Sequence, residues 1–149
     1  MASTIFKDIL VPYDGSKNAF RAFDVAVDIA KKYNSNITVL TCITKPAYRG
    51  TWYHDASASS PKMKKEEKAA EEKISKMIEP VKKKTDLSIK HKIIPVISAT
   101  NEISSFAKSH KMDLVVMGAH GKTGLEKILL GSISQGVSQK SHCSVMIVK

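Results

Sequence analysis

The sequence predicts an α/β fold: one doubly wound, parallel sheet of five strands with helices on both faces, in the Rossmann-like or flavodoxin-like manner. Two observations carry this. Short apolar runs recur at 5–11, 37–43, 87–97, 112–118 and 144–149, and between them lie segments whose apolar residues repeat at helical spacing. Strict strand–helix alternation demands parallel crossovers that cover both faces of the sheet. The expected strand order is 3-2-1-4-5, which opens a crevice where the order reverses, between the carboxyl ends of strands 1 and 4.

Each element has its own justification. The first strand is read in IFKDILV (5–11); Pro12 and Gly15 in the following PYDGS break it, and Ser16 is placed to cap a helix. Ala19, Phe23, Ala26, Ala30 and Tyr33 share one face of that helix, and the NSN at 34–36 ends it. ITVLTCI (37–43) is short and β-branched, the signature of a strand. Residues 44–61 have no period and read as a long loop, which in a compact domain is commonly functional. The Lys/Glu/Ala-rich stretch 62–84 carries Met63, Ala70, Ile74, Met77, Ile78 and Val81 as the apolar face of a surface helix, with Pro80 expected to interrupt its last part. LSIKHKIIPVI (87–97) alternates like an edge strand, and Pro95 supports the edge. A short helix capped by Ser98 or Thr100, the buried strand MDLVVMG, a helix beginning after Gly131 and the final strand SVMIVK complete the series.

At 149 residues the chain is most simply one domain, 1–149, with a core that needs no disulfide or metal staple. Its 42% apolar and 26% charged residues are ordinary for a globular protein. No apolar run reaches the roughly 20 residues that span a bilayer, and the opening MASTIFKDILVPYDGS lacks a basic leader and a cleavage site. Cys42 and Cys143 have no zinc-like or CxxC spacing. A cytoplasmic protein with inert, reduced thiols is therefore expected. The formal net charge is +10, but nine Lys and five Glu fall between residues 62 and 84, where mixed charge at helical spacing marks a solvated face. No zinc-finger spacing or basic-aromatic sheet signature accompanies it, so nucleic acid is not the expected partner.

The stretch DLVVMGAHGKTGLEKILLGSIS (113–134) carries the candidate chemistry. Gly121-Lys122-Thr123 imitates the end of a Walker P-loop, yet the first glycine of G-x-x-x-x-G-K-[ST] would fall at Val116, inside the strand. No G-x-G occurs there either. The pattern present is Gly118-x-x-Gly121, nine residues, then Gly131-Ser132. Glycines directly after a buried strand allow tight turns and bring backbone N–H groups close to an anion. Gly131 and Ser132 then open a helix whose free N–H groups and positive dipole end suit phosphate, with the Ser132 and Ser134 hydroxyls as further donors. The same spacing is also compatible with two glycine turns that merely cap a strand and a helix.

With these residues in view the chain resembles the universal stress proteins, in their ATP-binding branch with its G-2x-G-9x-G-[ST] pattern. The resemblance runs along the whole chain, through ILVPYDGS, ITVLTCIT, DLVVMGAHG, LLGSIS and HCSVMIVK. It implies ATP as ligand, with Mg or Mn on its phosphates. Asp14 would approach the ribose or a phosphate-bound metal, Pro12 and Tyr13 would line the same wall, and the Cys42 backbone would meet the adenine edge. Met117 would pack near the nucleoside, while Gly118, Gly121, Gly131, Ser132, Ile133 and Ser134 would hold phosphates. The resemblance further implies a homodimer through the apolar last strand, Val145–Val148. Tyr13 and Ser144 depart from the family pattern: the first stands where a smaller residue is usual, the second where proline is common.

Other sites lack support in the sequence. GSISQG is not a G-x-S-x-G elbow, and the histidines at 54, 91, 110, 120 and 142 show no metal-binding pairing. His120, within Gly118-x-x-Gly121, can reach a terminal phosphate or point to solvent; Lys122 and Lys127 flank the same loops. The aromatic stretch 47–60 reads as a lid, a partner surface or an anchor for its own loop. The leading expectation is a nucleotide-binding sensor or regulator of the stress response. A slow ATPase or phosphotransferase using Asp14 and His120, and an interaction protein that makes no use of nucleotide, are the alternatives.

Overall fold

A computed structural model describes residues 5–45, 60–121 and 130–149; the aromatic stretch through residue 59, and Lys122 and Lys127, lie outside them. The elements alternate as the sequence predicts: β1 (Asp8–Pro12), α1 (Lys17–Tyr33), β2 (Asn36–Thr44), α2 (Pro61–Lys84), β3 (Ile89–Val96), α3 (Ala99–Ser109), β4 (Leu114–Gly118), α4 (Ser132–Lys140) and β5 (Ser144–Val148). The sheet order is β3-β2-β1-β4-β5, with every pairing parallel.

Two cores flank the sheet. α1 and α2 cover one face, where Phe23, Ala26 and Ile74 meet Ile9, Val11, Ile37, Val39 and Val116. α3 and α4 cover the other, where Ile103, Phe106 and Val137 meet Leu10, Leu40, Val115 and Met117. Alternate strand residues supply the two faces, as the strand period of two requires. Burying side chains such as Phe23 or Leu10 contributes about 1.5–3 kcal/mol each, which favours holding α-helices flat on a sheet buried from both sides. Gly136 lets α4 approach α3 closely, since a Cβ there would lie 2.5 Å from Thr100 Cγ2. The Lys140 ammonium donates to Asn101 Oδ1 across the same seam at 2.8 Å.

Helix ends follow the sequence. Ser16, Ser60 and Ser98 cap α1, α2 and α3, each accepting a backbone N–H three residues on. Asn34 closes α1 in the left-handed conformation. Pro80 differs from expectation: it sits inside α2, and the helix runs on to Lys84. Packing of Ile74, Met77 and Ile78 on the sheet, with Val81 beside them, outweighs the one hydrogen bond that a proline removes. Among the described residues no helix is long and apolar enough to cross a membrane.

The two sheet edges differ. β3 exposes Lys90, His91 and Lys92 and carries Pro95, features that discourage pairing with another strand. β5 carries Val145, Met146 and Ile147, with Met146 38% exposed.

Candidate functional site

Three segments meet at the carboxyl edge of the sheet, where the strand order reverses between β1 and β4. The first follows β1. Tyr13 N–H donates to Leu40 O at 2.9 Å, and Thr41 Oγ1 donates to Tyr13 O at 2.8 Å, so the chain stays fastened to β2 for one residue past β1. It then turns at Gly15, whose φ of 85° favours glycine. Asp14 Oδ1 accepts the Ser16 N–H at 2.9 Å, and Ser16 Oγ accepts the Ala19 N–H at 3.1 Å. The start of α1 is thus provided with acceptors from its own loop.

The second segment follows β4. Gly118 stands against α1, because a Cβ there would lie 2.8 Å from the backbone carbon of Asn18. A Cβ on Gly121 would lie 2.8 Å from Asp14 Oδ2, which brings the β4 loop up to the β1 loop. The third segment is the start of α4. Gly131 N–H donates to Ala119 O at 2.8 Å, and a Cβ on Gly131 would lie 3.1 Å from that same oxygen. The glycines therefore let three backbones converge, a role in addition to any contact with an anion.

α4 begins without a side-chain cap. Its first helical bond runs from Gln135 N–H to Gly131 O, and among the described residues the N–H groups of Ser132, Ile133 and Ser134 have no acceptor. They carry the positive end of the helix dipole. The Ser134 hydroxyl corrects an expectation. It is buried and donates to Ala119 O at 2.8 Å and to Gly131 O at 3.0 Å, so its single hydrogen is engaged in holding the turn; the residue offers a ligand its backbone N–H alone.

A cleft of about 780 Å³ opens where these segments meet, and all twelve residues singled out from the sequence line it. They are Pro12, Tyr13, Asp14, Cys42, Met117, Gly118, His120, Gly121, Gly131, Ser132, Ile133 and Ser134. Cys42 lies within β2, two residues short of its end. Leu40 aims its carbonyl at β1, and alternation aims the N–H and C=O of Cys42 the same way, past the end of β1 and into the cleft. Thr41, Ile43 and Thr44 add to this wall, as do Glu66, Ala69, Ala70 and Lys73 of α2, none of which the sequence marks as a site residue. The spacing 66, 69, 70, 73 marks a helix face, but no local signal shows that the face meets the carboxyl edge.

Electrostatics limit the chemistry. Burial pushes the Cys42 thiol up to about 11, and the Glu102 carboxylate adds to the shift, so Cys42 is a neutral wall and not a nucleophile at neutral pH. The Tyr13 hydroxyl is raised above its usual value by burial and then by the Asp14 charge, which keeps it a hydrogen-bond donor. Among the described residues no group of three or more His, Cys, Asp or Glu could hold a metal ion.

Known proteins share this sequence pattern and fold. The model of the universal stress protein family matches residues 5–149. Universal stress protein MJ0531 of Methanocaldococcus jannaschii is 34% identical over 97% of this chain and 83% of its own length. The solved structure of universal stress protein UspA from Lactobacillus plantarum superposes with a TM-score of 0.80 at 25% identity, covering 97% of this chain and 98% of that one. The universal stress protein of Archaeoglobus fulgidus in complex with dAMP shares the fold, with a TM-score of 0.68 at 18% identity over 97% of this chain and 99% of that one. With a family match along almost its whole length and a relative alike over the same span, the chain belongs to the universal stress protein family.

Proposed function

We propose that this chain is an adenine-nucleotide-binding module, a single domain over 1–149, that acts in the cytoplasm as a sensor or regulator in the stress response. The observation that carries the reading is the start of α4, where three N–H groups without acceptors among the described residues face a cleft bordered by Gly118, Gly121 and Gly131. ATP phosphates would lie there, the ribose near Asp14, and the base between Tyr13, Met117 and the open backbone edge of Cys42. The Archaeoglobus fulgidus relative, which holds dAMP, supports an adenine nucleotide on this fold. Asp14 supplies one carboxylate, so a Mg or Mn ion would take its remaining ligands from phosphate oxygens and water.

The edges of the sheet support a homodimer. β3 is defended by charge and proline, whereas β5 presents Val145, Met146 and Ile147 and would pair with its copy in a second subunit. Met146→Lys should then shift the protein from dimer to monomer in light scattering; a wild-type monomer would end that part of the reading.

The nucleotide test is direct. The purified protein is denatured and its supernatant run on an anion exchanger, and ATP is then titrated against the melting temperature. Released nucleotide, and a stabilisation near 2.7 kcal/mol at about 100 times Kd, are expected. No released nucleotide together with no thermal shift would refute the reading.

A further inference from the structure

α2 is longer than the sheet it covers. Its buried residues, Ile74, Met77 and Ile78, all lie in the second half. Residues 61–73, about 20 Å of helix at 1.5 Å per residue, contain no buried side chain. α2 enters from the carboxyl end of β2, so these turns overhang the carboxyl edge, directly at the cleft. Four of their residues line it: Glu66, Ala69, Ala70 and Lys73. The spacing puts them on one face, as two alanines with a carboxylate and an ammonium at either end.

Among the described residues, that half of the helix is held mainly by its own hydrogen bonds and the Ser60 cap. Helices of this length are marginal in water without packing on an amphipathic face. Of the four α2 residues that line the cleft, Ala70 is half-buried and Glu66, Ala69 and Lys73 are exposed, so that face is open to a ligand. α2 lies over β2 and β3, while α4 follows β4. β2 and β4 are two strand spacings apart, about 10 Å. α2 and α4 lie on opposite faces of the sheet, but one cleft at its carboxyl edge is lined by both, so a ligand with its phosphates on α4 extends towards α2 with its other end.

We infer that the nucleoside end of the ligand is the packing partner of α2's first turns: the base lies against Ala69 and Ala70, with Glu66 and Lys73 offering an acceptor and a donor at its borders, so that occupancy orders the overhang. This rests on the nucleotide reading above. α2 would then be the element through which occupancy reaches the protein surface, since the opposite side of the same turns is exposed to any partner.

Hydrogen exchange of the whole protein, with and without ATP at about 100 times Kd, tests it. Exchange in peptides spanning 61–73 should slow about tenfold or more, within the roughly hundredfold that linkage allows, and peptides spanning 74–84 should change less. Binding seen by thermal shift with unchanged exchange in 61–73 would overturn the inference and leave the nucleotide reading intact; absence of any binding would remove both. A variant gives an independent arm. Ala69 is exposed in the free protein, so Ala69→Phe should lower the ligand-free melting temperature by only about 1–2 °C, through helix propensity, and weaken ATP binding about tenfold. Equal or tighter binding by that variant would also overturn the inference.

Discussion

α1 and α4 both start at the carboxyl edge of the sheet, and both starts line one cleft. They are built in opposite ways. α1 supplies its own acceptors: the Ser16 hydroxyl takes the Ala19 N–H, and the Asp14 carboxylate takes the Ser16 N–H. α4 has Gly131 at the same position, with no side chain to cap it. The backbone dipoles of the two ends are alike in kind. What differs is that α1 has the Ala19 N–H capped by Ser16 and a carboxylate beside its first turn, whereas α4 has neither; the Lys17 and Asn18 N–H groups, like those of α4, find no acceptor among the described residues. An anion arriving in the cleft would meet a carboxylate on the α1 side and, on the α4 side, N–H groups without an acceptor among the described residues, which supports the proposal of phosphates at α4 and of a sugar or a cation near Asp14.

The largest effect is expected at Gly131. Valine there would press on Ala119 O, already 3.1 Å from a bare Cβ, and its branches would crowd the Ser132 and Ile133 N–H groups. Losing two charge-assisted hydrogen bonds, at roughly 1.5–3 kcal/mol each, corresponds to a weakening of ATP binding by about a hundredfold or more. Titration calorimetry on a protein with a native circular dichroism spectrum reads this, and undiminished affinity would place the phosphates elsewhere. A paired test separates space from charge. Gly131→Ala and Gly131→Asp add the same Cβ, but only Asp gives α4 the kind of acceptor that α1 already has. Asp should bind ATP about tenfold more weakly than Ala, since a carboxylate at the cap competes with phosphate for the N–H groups. Equal affinities would deny that the open helix end matters.

The reciprocal change is smaller. Ser16→Ala removes the α1 cap, which costs about 1 kcal/mol and lowers the melting temperature by roughly 2–4 °C for a chain of this size. ATP affinity should hardly move if phosphate sits at α4 as proposed; a loss as large as that of Gly131→Asp would erase the distinction between the ends. Much of this contrast was legible in the sequence. Ser16 and the Gly118, Gly121, Gly131 spacing are local signals, and strand–helix alternation fixes which loops share the crevice. Long-range contacts were not legible. Nothing near Gly118 says that its missing Cβ makes room for Asn18, nothing in GSIS says that the Ser134 hydroxyl turns inward to Ala119 O, and Pro80 reads as a break until the packing of Ile74, Met77 and Ile78 is seen. The α2 wall escaped for the same reason, because which face of a helix meets a sheet edge is decided by the fold.

Cys42 sharpens the base end of the comparison. Its backbone faces the cleft past the end of β1, while its side chain packs with the α3 and α4 core. Burial raises the folded thiol pKa to about 11, above the value of about 8.5 for a free thiol. The sign follows: below about pH 8.5 both folded and unfolded forms keep the proton, and stability is lost as pH rises from there through the folded value. In a Cys143→Ser protein, alkylation of Cys42 by iodoacetamide at pH 8 should be about two orders of magnitude slower than that of free cysteine, following the thiolate fraction. It should rise about tenfold per pH unit towards 11. Saturating ATP should slow it further, because Cys42 also lines the cleft and a base held there would cover that side of it. Fast labelling at pH 8 would show the thiol to be open to water, and labelling indifferent to ATP would move the base away from β2 even if the phosphates remained on α4.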